Sequence, residues 1–138
     1  MSQEKIGCSP VPCTTCPYRR DVPSGVWAEE EYRKLAAYDR PTWEQPAALF
    51  MCHQNTGGLC TGWLQSHANR PHDVDLLALR LNHPKLDVKQ VSGVALAKPT
   101  VGLFRSGVAA MRHGLRAIAR PGRKAKAAIQ RIVAKRSW

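Results

Sequence analysis

Apolar positions along the chain fall into three regimes. The first is broken by proline. In Cys8-Ser9-Pro10-Val11-Pro12-Cys13-Thr14-Thr15-Cys16-Pro17, the prolines exclude both regular helix and central strand and predict a rigid loop. The second regime alternates helix with loop. Trp27 to Tyr38 reads as a helix: Trp27, Leu35 and Tyr38 share one face, Glu29, Glu30 and Glu31 lie early, and Arg33 and Lys34 lie late, the order the helix dipole favours. Ser24 is the expected N-cap and Asp39-Arg40-Pro41 the stop. Ala47 to Cys52 reads as a short strand or extended segment, followed by a Gly57-Gly58 turn. Cys60 to His67 can open a helix with Trp63 and Leu64 inside. Val74 to Leu81 follows as a helix capped by Asp73, with Leu76, Leu77, Leu79 and Leu81 on its buried side. The third regime is a stripe, Val101, Phe104, Val108, Met111, Leu115 and Ile118, spaced three or four apart as on one face of a helix. Pro121-Gly122 breaks it. A second helix then runs from Arg123 to Arg136, with Ala125, Ile129, Ile132 and Val133 as its apolar side.

These elements give a small α+β fold, mostly α. A metal-stapled four-cysteine module is expected over residues 8–87 and a basic, amphipathic helical C-terminal tail over 98–138. At 138 residues with few aromatics, the core is small, and small cores often rely on a staple. No run approaches the roughly 20 apolar residues of a membrane span. No apolar signal segment follows the N-terminus, so a cytoplasmic location is expected. In that compartment five cysteines point to metal or redox chemistry rather than to structural disulfides.

Charge divides the chain sharply. Residues 1–87 carry nine Lys/Arg against ten Asp/Glu, whereas residues 88–138 carry twelve Lys/Arg and no acid. A near-neutral module followed by a wholly cationic segment implies a polyanionic partner.

The chemistry-bearing residues are Cys13, Cys16, Cys52 and Cys60. Two residues between the first pair let both sulfurs reach one ion from a single turn, and the Gly-Gly turn brings the second pair to one place. Four thiolates suit structural Zn2+ first and, as the alternative, an iron–sulfur cluster, of which Cys16-Pro17 is a mild echo. Cys8 and His53 are additional ligands or outer partners. Arg19, with Arg20, can offset the charge of a tetrathiolate site. His67, His72 and His83 lack ligand spacing and read as surface or packing residues. Prolines on both sides of Cys13 and Cys16 argue against a dithiol redox catalyst. The sequence holds no phosphate-binding glycine loop, paired carboxylates or Ser-His-Asp pattern. A non-enzymatic protein is expected.

The strings CTTCPYRRDVPSGVWAEEEY, QPAALFMCHQ and LCTGWL resemble an uncharacterised family of small actinobacterial and actinobacteriophage proteins, a domain of unknown function. The resemblance covers roughly residues 8–85. It implies that Cys13, Cys16, Cys52 and Cys60 belong to the family core, and it implies no activity. Gly25-Val26-Trp27 and the basic end also resemble the layout of WhiB-like iron–sulfur regulators, although Ala28-Glu29 replaces glycines there and the cysteine spacing differs.

The leading expectation is a nucleic-acid-binding or regulatory module. The cysteine site folds it, and Arg105, Arg112, Arg116, Arg120, Arg123, Lys124, Lys126, Arg131, Lys135 and Arg136 contact phosphates. The alternative is an interaction protein whose C-terminal helices lie on an anionic membrane surface or in a protein partner's groove. A second alternative is an iron–sulfur redox sensor.

Overall fold

The proline-rich start, unable to form a strand ladder of its own, is fastened to distant segments one residue at a time. The structure, a computed structural model, describes residues 5–52, 57–68 and 76–136. Among these the β structure consists of isolated bridges, parallel for Ile6 with Leu86 and Cys8 with Leu59, antiparallel for Met51 with Leu59 and Arg19 with Leu103. Everything else of regular structure is helical: α1 (Glu29–Ala37), α2 (Thr61–Ala68), α3 (Leu77–Leu81), α4 (Val88–Leu96), α5 (Gly107–Leu115) and α6 (Arg123–Arg136), with 3-10 turns at Thr42–Glu44 and His83–Lys85. The fold is therefore mostly α, as its apolar periodicity predicts.

α1 begins at Glu29, with Ala28 in the N-cap position, two residues later than the sequence suggests. Ser24 is not its cap. The Ser24 hydroxyl donates to Gly114 O and accepts from Ala117 N, so it fastens the far end of α5. Tyr32 and Leu35 form the buried face of α1, and the Tyr32 hydroxyl accepts from the amides of Val26 and Trp27 at 3.0 Å each. Among the described residues the Ala47–Cys52 segment carries one β-bridge, Met51 with Leu59. α3 starts at Leu77, and the expected Asp73 cap lies outside the described residues. Its buried positions are Leu76 and Ala78, while Leu81 is exposed. α4 is absent from the sequence reading. Asp87 caps it by accepting from Gln90 N, and Val91 is its buried residue.

The stripe from Val101 to Ile118 is not one helix. Leu103 pairs with Arg19, and Phe104 N donates to Tyr18 O, so this part runs extended against the cysteine loop. α5 starts at Gly107, capped by Ser106, whose hydroxyl accepts from Ala109 N. Both carboxylate oxygens of Asp39 accept from its first amides, Gly107 N and Val108 N, at 2.8 Å. α5 packs on α1 through Gly107, Ala110 and Gly114, its fully buried positions. A Cβ at Gly107 would strike Leu35 O, and one at Gly114 the Tyr32 ring. These two positions are glycine because α5 lies against the α1 backbone at Gly107 and against the Tyr32 ring at Gly114. Val108, Met111 and Leu115 flank that seam, half-buried.

Two apolar clusters result. The larger gathers Cys16, Tyr18, Tyr32, Leu35, Phe50, Trp63 and Leu64 with their neighbours. In the smaller, Ala125, Ala128 and Ile132 of α6 rest on Val22 and Val26. Val133, expected on that face, is exposed. Both C-terminal helices thus dock on the cysteine module.

Candidate metal centre and basic surface

The Cys13–Cys16 loop closes as a tight turn, Cys16 N donating to Cys13 O at 3.0 Å and Arg19 N to Cys16 O at 3.0 Å. The second pair sits on a short antiparallel hairpin. Cys52 N donates to Gly58 O and Cys60 N to Phe50 O, and Gly57 turns the chain with a φ of +89° that side chains disfavour. Side chains alternate along such a hairpin and cross-strand pairs share a face. Cys52 and Cys60 therefore share one face, and Met51 and Leu59 share the other. Cys60 directly precedes α2 and accepts from Leu64 N at 3.2 Å, which sets its thiol at the positive end of the helix dipole.

The two segments bring the four thiols together. Cys16 Sγ and Cys60 Sγ lie 3.7 Å apart in the core, and the Cys13 thiol interacts with those of Cys16 and Cys52. These interactions link the thiols in the order Cys52, Cys13, Cys16, Cys60. Among the described residues no three His, Cys, Asp or Glu side chains already form a cage. Burial pushes the Cys16 thiol well up, and its hydrogen bond to Cys16 is the main cause raising Cys13. A coordinated cation reverses that direction by its own charge. Gly62 is what leaves room for these thiols. A Cβ there would strike Cys16 Sγ and approach Tyr18 Cβ at 3.0 Å.

Of the expected outer partners, Cys8 and Arg19 are described. Cys8 pairs with Leu59, hence on the face away from Cys52 and Cys60. Its thiol contacts Gln90 Oε1 at 3.7 Å and Thr61. Gln90 also grips the backbone of Cys8, accepting from its N at 2.9 Å and donating to its O at 2.6 Å. Arg19 braces the loop rather than the sulfurs. It donates to the carbonyls of Pro12 and Cys13 and forms a two-point ion pair with Asp21 at 2.7 and 2.8 Å. His53 lies outside the described residues. His67, with no ligand spacing in the sequence, is buried and meets the Tyr18 hydroxyl at 3.1 Å. Trp27 Nε1 donates to Thr15 O at 2.8 Å, tying the loop to α1. The roles of Gly62, of Gln90 and of Asp39 beyond the end of α1 are not in the sequence reading. Their signals, a glycine two residues after a cysteine and polar residues beside apolar runs, become legible only with the tertiary contacts.

The side chains expected to contact phosphate are turned outward where they are described. Arg105, Arg112, Arg116, Arg120, Arg123, Lys124, Lys126 and Arg131 are exposed. The side chains of Lys135 and Arg136 lie outside the described set. No helix among the described residues is long and apolar enough to cross a membrane.

No curated protein and no solved structure matches the chain. A family model does: residues 8–136 match DUF6283, a family of unknown function. The matched region extends past residue 85 to take in both C-terminal helices, and the chain belongs to this family.

Proposed function

We propose that this is a nucleic-acid-binding module in which Cys13, Cys16, Cys52 and Cys60 hold one structural Zn2+ and the exposed cations of α5, α6 and their flanks contact phosphate. The observation that carries the metal reading is the set of four linked thiols supplied by two loops. Sulfurs on one tetrahedral zinc, at about 2.3 Å from it, stand about 3.8 Å apart, and Cys16 and Cys60 are separated by 3.7 Å. A four-iron cluster, which takes one cysteine per iron, would hold the cysteine sulfurs farther apart, whereas two cysteines on one iron of a two-iron cluster would stand at a spacing like that on zinc. Zn2+ would supply no redox chemistry. It would fix the loop, the hairpin and the start of α2 to one point.

The outward cations support the second half of the reading. Ala110, Ala125, Ala128 and Ile132 are spent on the module's own core, which weighs against a membrane or a partner's groove as the destination of the apolar faces. Arg and Lys on the opposite side remain available to a polyanion.

Metal content and salt-dependent binding test it together. The purified chain should contain one zinc, lost in a Cys13→Ser, Cys60→Ser double variant. Gly62→Ala should weaken metal retention about 10- to 100-fold, as changes beside metal ligands do. Affinity for a mixed-sequence duplex should fall roughly a hundredfold between about 50 and 200 mM salt if about four phosphates are contacted. A brown, iron-containing protein would replace the zinc reading. Salt-insensitive binding would overturn the nucleic-acid one.

A further inference from the structure

Away from the thiols, the exposed Trp43 is out of keeping with an otherwise polar turn. It lies in the Thr42–Glu44 turn and is 76% exposed. The guanidinium carbon of Arg80, on α3, lies over its ring at 5.6 Å from the centroid. The surroundings are built rather than loose. Buried Gln45 donates through Nε2 to Arg40 O at 2.9 Å and accepts through Oε1 from Leu77 N at 3.0 Å. Asn82 Nδ2 bonds Ala47 O at 3.1 Å and Ala78 O at 2.8 Å. These bonds tie the turn to both ends of α3 and so set Arg80 against the indole. On the other side, Asp39 holds the first amides of α5. Arg105 lies two residues before the first of these amides, Gly107 N. Arg40, next to the turn, and Arg80, over the ring, are both exposed, and the nearby chain also carries the acids Asp39 and Glu44.

A solvent-facing indole with a guanidinium over its ring and Arg40 three residues before it in the chain offers a π surface beside phosphate-binding charge. A nucleobase can use that surface only when it is unstacked from its neighbours, because in a duplex the faces of the bases are covered. We infer that Trp43, backed by Arg80, is a stacking platform for an unpaired base, so that the nucleic acid this protein prefers is single-stranded or carries an unpaired loop. The inference rests on the nucleic-acid reading above and names its substrate class. The cations supply affinity without regard to strandedness, and Trp43 supplies the preference.

The experiment is fluorescence anisotropy with the full-length, metal-loaded chain at one fixed salt concentration. The probes are a labelled oligothymidylate of about 15 nucleotides, within the site sizes of single-strand binders, and a labelled mixed-sequence duplex of similar length. Trp43→Ala should weaken oligothymidylate binding about 5- to 100-fold, the range for loss of one base stack, and leave duplex binding and its salt slope unchanged. Trp43→Phe should retain part of the affinity. Leu96→Ala, which removes a side chain of similar exposure (75%), should change neither. Trp43 is on the surface, and unchanged circular dichroism would show that the variants fold. Oligothymidylate binding untouched by Trp43→Ala, or an equal loss for both probes or for Leu96→Ala, overturns the platform and leaves the nucleic-acid reading standing. A wild-type chain that binds neither probe overturns both.

Discussion

The two apolar clusters are held by opposite means. The larger is built of big side chains around the thiols. Tyr18, Tyr38, Phe50 and Trp63 meet edge to face or tilted at 5.3 to 6.3 Å between ring centres, and the Tyr38 hydroxyl, pushed up to about 12 by burial, donates to Ala48 O. The smaller is built of alanine and a few β-branched residues. One is a core that chemistry organises, the other a seat for a charged helix. Large faces anchor the module, whereas small faces let a cationic helix lie close while presenting its charges outward.

Metal withdrawal should break the comparison most sharply. A saturating chelator, or Cys16→Ser, should remove about 4 kcal/mol or more. Amide exchange should rise first in the Cys13–Arg19 loop, the hairpin and α2. A chelated protein with an unchanged melting temperature would place the stability of the large cluster in its aromatics alone. Next in size, Leu64→Ala in the large cluster should cost about 2–5 kcal/mol and lower the global melting temperature. Ile132→Ala in the small one should cost less and open α6 locally, read as faster exchange confined to α6. Equal global losses from both would mean that the clusters act as one core.

Gly114→Ala tests the seam between α1 and α5. Its methyl meets the Tyr32 ring, and overpacking of that kind costs about 1–3 kcal/mol. Urea denaturation would measure it, and a neutral or stabilising result would show that the helices can move apart freely. The smallest effect belongs to Asp21, whose hydrogen bond to Arg19 lowers its pKa. A depressed carboxylate contributes stability that is full above the unfolded value near 3.9 and is lost as pH falls through the lower folded value. The Asp21 side chain is 61% exposed, so the contribution is below about 1 kcal/mol. Asp21→Asn should flatten the acid limb of the stability curve by no more than that.

How much of this was legible follows from the same contrast. The cysteine loop, the Gly57 turn and the α1 helix could be read because proline, glycine and charge order act locally on the backbone. That Cys52 and Cys60 flank one turn is readable from Gly57-Gly58, but the register that sends Cys8 to the opposite face is not, since it depends on Leu59 bridging two segments at once. The stripe from Val101 to Ile118 misled because periodicity was followed across Ser106, which is itself a helix cap. It misled also because hydrophobicity marks bulk, while the α1–α5 contact uses Gly107, Ala110 and Gly114. α4 was missed because Asp87 was read as the last acid of a module instead of the cap of Val88 and Val91.

The ties between Ser24 and Gly114, Val22 and His113, and Cys8 and Gln90 join residues 82 to 91 positions apart. They have a consequence for how the chain is born. A mostly helical protein of this size would ordinarily fold fast, but closing contacts so far apart in sequence slows the search. Cys16 also waits 44 residues for Cys60. At ribosomal rates that is on the order of 2–9 seconds, during which the first two thiols emerge without the second pair. Nascent chains should therefore be sensitive to thiol-reactive agents in a window that closes when the hairpin leaves the exit tunnel.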